Sequence, residues 1–226
     1  MSERFSNYVV YKPSGGDTMV KSGRSTIYNI PGDEAFFASM DSYLVDATWV
    51  SKMSWENNTT ATQTYSLTYT TELKVTKGTE VTNSVGIGAA FKGLSMSMDS
   101  QTKTFTAYET TETQTKTITL TVPPKSTLTF YQRKYRFRST MFFVLDAWNE
   151  EWNAGSPGGY DITRKECQVE IMSEDYLTTD TPLVDSGTGT MIVKSVSRAD
   201  VESRRKTRKR ENLTERAKKE LSKMGV

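Results

Sequence analysis

The feature that most restricts the fold of this chain is an alternation of apolar and polar residues between residues 59 and 129. Most odd positions from Tyr65 to Val75 are apolar or aromatic, and threonine, serine and charged residues fill the even ones. The run Thr115–Val122 alternates likewise and stops at Pro123-Pro124, where proline cannot donate to a β-ladder. Because a period of two is typical of strands with one buried face, the pattern predicts long antiparallel strands.

Other segments extend this mostly β pattern. Strand-like runs cover Ser126–Phe143, Glu166–Met172 and Gly189–Val196, whereas glycine, proline and tryptophan between Asp146 and Tyr160 predict a loop. A chain of 226 residues is long enough to bury one good core.

The composition argues against most enzyme chemistry. Histidine is absent and Cys167 is the single cysteine, so histidine-based triads, imidazole metal sites and thiolate clusters are excluded. We therefore predict a non-enzymatic protein with no catalytic residues, no metal and no cofactor. No apolar run approaches eighteen residues, so no membrane-spanning helix is predicted. The first residues lack a basic stretch followed by an apolar one, so no signal peptide is expected.

The segment Val81–Ser100 carries the alternation in a form that suits a hairpin. Lys92-Gly93 can form a two-residue turn, because glycine adopts the positive φ that such turns need. The two arms then place one apolar set on a shared face: Val85, Ile87, Ala89, Phe91, Leu94, Met96 and Met98. The opposite face holds a small or polar set: Gly86, Gly88, Ser95, Ser97 and Asp99.

This two-faced hairpin has two interpretations. One is a transmembrane barrel hairpin, in which lipid and lumen sides alternate. The arms Val81–Phe91 and Leu94–Thr104 would span about 26 Å at about 45° tilt, close to the roughly 25 Å apolar band of such barrels. One hairpin cannot close a barrel, so several chains would be needed. The other interpretation is an ordinary hairpin of a soluble β-sandwich, with one face on the core.

Four pieces of the sequence carry a family resemblance. The first is the run Trp55-Glu56-Asn57-Asn58, and the second is the Thr-rich strand Tyr65–Lys77. The others are the amphipathic segment Val81–Met98 and a second Thr-rich strand that ends at Pro123-Pro124-Lys125-Ser126. Together they make residues 55–144 resemble the pore-forming module of aerolysin-type β-pore-forming toxins, the family that includes lysenin and epsilon-toxin.

The resemblance implies a cytolytic toxin: a soluble monomer that binds a lipid or glycan receptor on a target-cell membrane, forms a homo-oligomeric ring and inserts one hairpin per chain. The apolar set would face lipid, the small or polar set would line the pore lumen, and Lys92-Gly93 would be the tip that crosses first. Asp99, repeated around the ring, would favour cations, while Lys103, also lumenal in this register, would oppose it. Such a protein would be secreted, or released without an encoded signal peptide, and would act at the target membrane.

With this resemblance the predicted fold class is all-β: elongated, twisted antiparallel sheets with a tucked amphipathic insertion hairpin and a short C-terminal helix. Residues 1–54 are assigned to a membrane- or receptor-binding region, and residues 55–144 to the pore-forming module with its hairpin 81–104. Residues 145–197 would complete the body. No lectin domain of the lysenin kind is predicted after them, so lipid specificity is not transferred.

The last residues, 198–226, hold 11 Lys/Arg and 5 Asp/Glu. Asn212 has N-cap spacing before Glu215, and one helical face carries Leu213, Ala217, Leu221 and Met224, so we expect an exposed basic linker followed by a short amphipathic helix. The resemblance suggests an activation peptide cut by proteases at basic residues, here Arg204, Arg205, Arg208 and Arg210. A solvated tail without a role, or attraction to anionic lipid or nucleic acid, are the alternatives.

Two tryptophans flank the Gly/Pro-rich segment. Trp148 and Trp152 are candidate membrane or receptor contacts, with core packing as the alternative. The leading functional prediction is a β-pore-forming toxin. The alternative is a soluble β-sandwich binding module, lectin-like or structural, whose basic tail docks a partner. Since the body before the tail is acidic overall, no nucleic-acid partner is expected.

Overall fold

The computed structural model describes residues 10–226 apart from residues 112 and 186, with the side chains of residues 82, 83, 89 and 111 also outside the description. Two very long antiparallel strands, β3 (Glu34–Asn57) and β8 (Ser126–Ala147), form its centre. They pair along their whole lengths, from Glu34 opposite Ala147 to Asn57 opposite Ser126. Most residues along their shared centre are buried, which is why the two strands can carry layers on both sides.

The remaining elements flank this pair. The other strands are β1 (Val10–Pro13), β2 (Thr18–Ile30), β4 (Gln63–Lys77), β5 (Ser95–Met98), β6 (Gln101–Thr104), β7 (Gln114–Val122), β9 (Glu150–Ala154), β10 (Arg164–Thr179), β11 (Thr188–Met191) and β12 (Thr207–Arg208). The helices are α1 (Thr82–Val85), α2 (Ile87–Phe91), α3 (Ala107–Thr111) and α4 (Glu215–Lys223). The main sheet has the order β11-β1-β3-β8-β10-β4-β7, with β2 on β3 and β9 on β8.

Strand β4 belongs to two environments. Its first part, Gln63–Thr71, pairs with β7, and its last part, Glu72–Lys77, pairs with β10. Side chains of the first part pack on Phe130 of β8 and form a small core of their own, made of Leu67, Tyr69, Leu120 and Phe130. The β4–β7 pair is therefore a two-stranded ribbon that lies against one end of the main sheet.

A second and much larger core lies toward the other end. It joins side chains of β3, β8 and β10 to two further layers, the segment between Val81 and Phe105 and helix α4. Phe36, Phe137 and Phe143 are fully or almost fully buried there. Both added layers are amphipathic, so each covers an apolar face of the sheet that would otherwise meet water.

The mostly β, antiparallel prediction is confirmed, and strands occupy the runs predicted around Tyr65–Val75, Thr115–Val122 and Ser126–Phe143. The loop predicted between Asp146 and Tyr160 is wrong in part, because it contains β9, which pairs with the end of β8. β3 and β8 run through residues 54 and 144 without a break. The functional assignment of residues 1–54, 55–144 and 145–197 stays a prediction.

The basic tail was expected to be exposed, and this expectation is wrong in part: Arg198, Arg204 and Lys206 are exposed, whereas Arg205, Arg208 and Arg210 are half-buried. Thr207 and Arg208 form β12 beside β9, and Arg205 makes ion pairs with Glu151 and Asp200. Glu151 also accepts from Arg24, and this hydrogen bond is the main cause that lowers the pKa of Glu151 to about 2. Arg205 thus has one partner that is distant in sequence, Glu151, and one within the tail, Asp200.

The predicted C-terminal helix is present as α4, with a different cap. Thr214, not Asn212, is the N-cap residue, and its hydroxyl accepts from the backbone N of Ala217. The face predicted to be apolar is buried in the larger core at Leu213, Ala217, Leu221 and Met224. None of the helices that the structure describes is long and apolar enough to cross a membrane.

Helix α4 should contribute strongly to stability. Leu221→Ala removes a fully buried side chain, so we expect the free energy of unfolding to fall by about 2–5 kcal/mol. Lys219→Ala, on the exposed face of the same helix, should change it by less than about 0.5 kcal/mol. Urea denaturation followed by circular dichroism measures both. Equal, small effects would show that α4 is not an integral layer.

Candidate membrane-insertion segment

The segment 78–113 connects β4 to β7, which are neighbours in the sheet. Instead of a short turn, the chain folds back along the sheet before it returns. The reversal begins at Gly78, whose φ of +76° is left-handed. A Cβ at this position would lie 2.7 Å from the carbonyl oxygen of Glu166, so glycine is required where the segment leaves β4.

The first arm of this segment is helical, which corrects the strand predicted for Val81–Phe91. It contains α1 and α2, separated by Gly86 in the left-handed conformation. The spacing explains the error. Val81 and Val85, and likewise Ile87 and Phe91, are four residues apart, and this interval puts both members on one face of a helix as well as of a strand.

The return arm is a short hairpin with a different register from the predicted one. β5 pairs with β6, and Met98 lies opposite Gln101 rather than opposite Ile87. Its turn is made by Asp99 and Ser100, which both have positive φ. Glycine adopts this conformation easily, asparagine and aspartate adopt it less easily, and other residues rarely do. This turn is therefore strained.

Burial in the structure separates the predicted site residues into the same two sets as the sequence pattern. All described side chains of the apolar set are buried: Val85, Ile87, Phe91, Leu94, Met96 and Met98; the side chain of Ala89 lies outside the description. In the small or polar set, Gly86, Ser95, Ser97 and Asp99 are exposed and Gly88 is half-buried. Lys92 and Gly93 are exposed at a turn, with Gly93 at φ +67°.

Aromatic contacts seat the segment on the sheet. The ring of Phe91 lies 5.1 Å from that of Phe137, and the ring of Phe105 lies 5.1 Å from that of Tyr135. Hydrogen bonds from β2 add to these contacts, with Ser25 Oγ 2.8 Å from the carbonyl oxygen of Val85. The apolar set is thus covered by protein in this fold.

A buried polar cluster holds the end of the segment. We call Lys103, Glu109 and Asp175 the Glu109 cluster. Lys103 Nζ lies 3.1 Å from a carboxylate oxygen of each acid, and Glu109 is fully buried. Glu109 also accepts from the backbone N of Thr106 and of Glu174, at 2.9 Å and 2.8 Å. These bonds join the segment to β10, and they compensate the burial of the carboxylate.

Sequence reasoning did not identify the Glu109 cluster, although a local signal was present. Thr106 and Glu109 have the spacing of a capping box, in which the acid reaches back to the backbone N of the cap residue. The contribution of Asp175 could not be read from the sequence, because it comes from a distant strand. Among the residues described, no group of acids, cysteines or histidines could hold a metal ion.

The chain after β11 covers the short hairpin from outside. Met98 forms an antiparallel bridge with Val193. On either side of it, Asp99 N donates to the carbonyl oxygen of Ile192 at 3.0 Å, and Lys194 N donates to that of Ser97 at 2.9 Å. Met98 and Val193 are therefore a non-hydrogen-bonded pair, the kind with the shorter Cα–Cα distance.

The register of the β4–β7 ribbon points to the tip of the predicted hairpin. Pairing runs without a shift from Gln63–Val122 to Thr71–Gln114. Continued unchanged, it would place Phe91 opposite Leu94 and leave Lys92-Gly93 as a two-residue turn. It would also keep the apolar set on the face to which Leu67, Tyr69 and Leu120 already point. The ladder and the sequence pattern arrive at the same turn independently.

The same ribbon has unpaired edges. In the part of the chain that the structure describes, β7 has β4 as its single ladder partner, and residues Gln63–Thr71 of β4 pair with β7 alone. Apart from the carbonyl oxygen of Thr70, which accepts from Gln132 Nε2 at 2.7 Å, both outer edges of this stretch keep backbone groups that another strand could bind.

The predicted tail and tryptophan sites lie together at the end of the sheet where β8 turns into β9. Arg204 is exposed, whereas Arg205, Arg208 and Arg210 are half-buried. Trp148 is 52% exposed, and the guanidinium of Arg208 lies between its ring and that of Trp152. The structure thus brings Arg208 and the two tryptophans into one cluster.

No protein-family model matches the sequence, and no curated protein is detectably similar to it. Among solved structures, the chain is similar to the oligomeric pore-forming toxin pro-monalysin, with 11% identity and a TM-score of 0.38 over 84% of this chain and 75% of that one. It is similar to lysenin in complex with phosphocholine, with 17% identity and a TM-score of 0.28 over 59% and 50% of the chains. A third similarity is to the Bacillus thuringiensis toxin parasporin-2, which recognizes cancer cells, with 14% identity and a TM-score of 0.17 over 70% and 77%.

These three proteins are aerolysin-type pore-forming toxins, the family that the sequence resembles. This chain spans only half of the lysenin chain, and the TM-scores are low. The similarity therefore assigns no role to any residue, and the function has to follow from the residues of this chain.

The Glu109 cluster makes a local prediction. Glu109→Gln leaves Lys103 with only one of its two acidic partners, so we expect amide exchange in β5, β6 and α3 to accelerate at least tenfold, while β3 and β8 stay protected. Hydrogen–deuterium exchange with mass spectrometry measures this. Glu174→Gln, which breaks the partly exposed pair with Lys116, is the matched control and should leave these amides unchanged. Equal acceleration across the whole sheet would contradict a local role.

Proposed function

We propose that this chain is a pore-forming toxin whose segment 78–113 leaves the sheet and extends the β4–β7 ribbon into a membrane-spanning hairpin. The observation that carries the proposal is the register of the ribbon. Continued without any slip, the ladder would bring Lys92-Gly93 to a two-residue turn and keep the apolar set on one face. A hairpin that belonged only to the core would not need to continue the pairing register of β4 and β7, because three helices lie between it and those strands.

The energetics favour insertion only in lipid. In the soluble fold the apolar set is buried against the sheet, so its release into water exposes large side chains such as Phe91 and Met96. In a bilayer the same face is covered by hydrocarbon, and the small or polar set faces the lumen. The strained turn at Asp99 and Ser100 would be replaced by one at Lys92-Gly93, where glycine already has positive φ.

Several chains have to assemble, because a single hairpin leaves edges that lipid cannot satisfy. The two unpaired edges of the β4–β7 ribbon suit this, since the β7 edge of one copy can bind the β4 edge of the next around a closed ring. The proposed sequence is membrane binding by a released soluble monomer, ring assembly and insertion of one hairpin per chain. This action needs no enzymatic step.

Proteolytic activation at Arg204, Arg205, Arg208 or Arg210 stays a prediction. A cut there would leave α4 held by Leu213, Leu221 and Met224 in the larger core. Activation by cleavage would therefore also require α4 to dissociate from the sheet.

A disulfide that fixes the short hairpin should block the pore. Met98→Cys with Val193→Cys joins a non-hydrogen-bonded pair, the geometry that best accepts a disulfide. We expect the oxidised protein to release no dye from susceptible vesicles and the reduced protein to release it normally. The matched control is Thr68→Cys with Thr117→Cys, whose hydroxyls are 3.3 Å apart in a pair that persists in both states. Full dye release by the oxidised Met98–Val193 protein would refute the proposal.

A second pair of cysteines tests the register in the assembled state. Ser84 and Gln101 lie opposite each other when the β4–β7 ladder is continued, so Ser84→Cys with Gln101→Cys should crosslink only after assembly on membranes. Ser84→Cys with Ser97→Cys, four residues out of register, should not. Burial raises the pKa of Cys167 to about 11, so the native thiol should not compete. A crosslink in the second variant but not the first would mean a different register.

A further inference from the structure

The end of the sheet where β8 turns into β9 carries two exposed aromatic side chains, with half-buried aromatic and basic side chains beside them. We call Trp148, Trp152, Tyr160, Arg208 and Lys209 the headgroup patch. Trp148 is 52% exposed and Tyr160 is 66% exposed, which is unusual for such large rings. Lys209 Nζ lies 4.9 Å from the centre of the Tyr160 ring. The patch thus combines rings that have one apolar and one polar side with fixed cations.

Arg208 is oriented but not neutralised. Its guanidinium lies 4.0 Å from the centre of the Trp148 ring and 5.1 Å from that of Trp152. Its Nε donates to the carbonyl oxygen of Asn212 at 2.6 Å. Within the described residues no carboxylate pairs with it, whereas the nearby Arg205 has two acidic partners. An arginine held in this way presents its terminal nitrogens to an oxyanion such as a phosphate.

The backbone at Trp148 gives an independent observation. Ala147 pairs with Glu150, so Trp148 and Asn149 are the two turn residues, and both have positive φ, at 57° and 61°. Asparagine tolerates this conformation, but tryptophan does not, and strain of this kind concentrates at functional sites. The turn therefore holds a large ring in water at a position where glycine would be more stable.

The position of the patch matches the direction of the proposed hairpin. Gln168 of β10 pairs with Lys77, at the end of β4, on one side and with Arg138 of β8 on the other. From there β4 continues toward the end of the sheet at Ala147. Phe91 is fourteen residues beyond Lys77, whereas the end of the sheet at Ala147 is only nine residues beyond Arg138. An extended hairpin would therefore pass this end of the sheet. The side of the molecule that carries the patch is the side toward which the tip would travel.

We propose that the headgroup patch binds the surface of a phospholipid bilayer before insertion, with Arg208 on a lipid phosphate and Trp148 and Tyr160 at the headgroup level. This inference rests on the proposed function, because it concerns the membrane that the hairpin would enter. Aromatic rings with a polar edge favour the interface between headgroups and hydrocarbon. A bilayer presents phosphates at the same depth as such an interface, which suits an arginine stacked between two indoles.

Flotation with phosphatidylcholine vesicles, with and without phosphatidylserine, tests the patch through two neighbouring substitutions. Trp148→Gly removes the ring and relieves the positive φ, so the variant should fold at least as well as the native chain but bind vesicles roughly tenfold more weakly. Asn149→Gly changes the neighbouring turn residue, where asparagine tolerates the positive φ, and keeps the ring, so its binding should be unchanged. Arg208→Lys keeps the charge but loses the planar fork, and it should also weaken binding.

The oxidised Met98–Val193 disulfide protein separates this inference from the proposed function. It should bind vesicles like the native protein while it releases no dye. If Trp148→Gly binds as tightly as the native chain, or if plain phospholipid vesicles bind nothing and a glycan or protein receptor is required, the headgroup patch is refuted whatever the dye release. If the disulfide protein binds and also releases dye, the insertion mechanism fails and the patch stands.

Discussion

Everything else in this molecule depends on the ladder between β3 and β8. The two strands pair from Glu34–Ala147 to Asn57–Ser126, and their side chains contribute to both cores. Layers that pack on this ladder are of different kinds. β10 adds main-chain hydrogen bonds, whereas the segment between Val81 and Phe105 is held mostly by side chains. A layer of the second kind can separate without breaking the sheet, and this difference makes a refolding segment compatible with a stable body.

Much of the fold was predictable because alternation is a local property. Period-two patterns identified β4, β7 and most of β8, and they sorted the residues between Val85 and Met98 into two faces that the burial pattern reproduces. The helical first arm was not predictable, since residues four apart satisfy both periods and the sheet decides between them. Strand β3 was missed because a strand buried on both faces has no alternation, as in Ala35-Phe36-Phe37-Ala38.

The remaining errors concern pairs of residues that are far apart in sequence. The basic tail reads as solvated until Glu151 is brought beside Arg205, and Glu109 reads as an ordinary helix cap until Asp175 is placed next to Lys103. Composition counts charges but cannot pair them. The hydrophobic pattern located α4 after the tail, whereas neither α3 nor β12 was predicted, and both electrostatic environments required the structure.

The ribbon of β4 and β7 also has a kinetic consequence. Thr71 and Gln114 are paired at the base of the segment before it moves, so the entropy of closing this long loop is already lost in the soluble fold. Extension of the hairpin would then add one residue pair after another to an existing ladder, with no new nucleus and no search for a register. The rate of such a step would be governed by how fast the buried side chains around Phe91 and Phe105 come free.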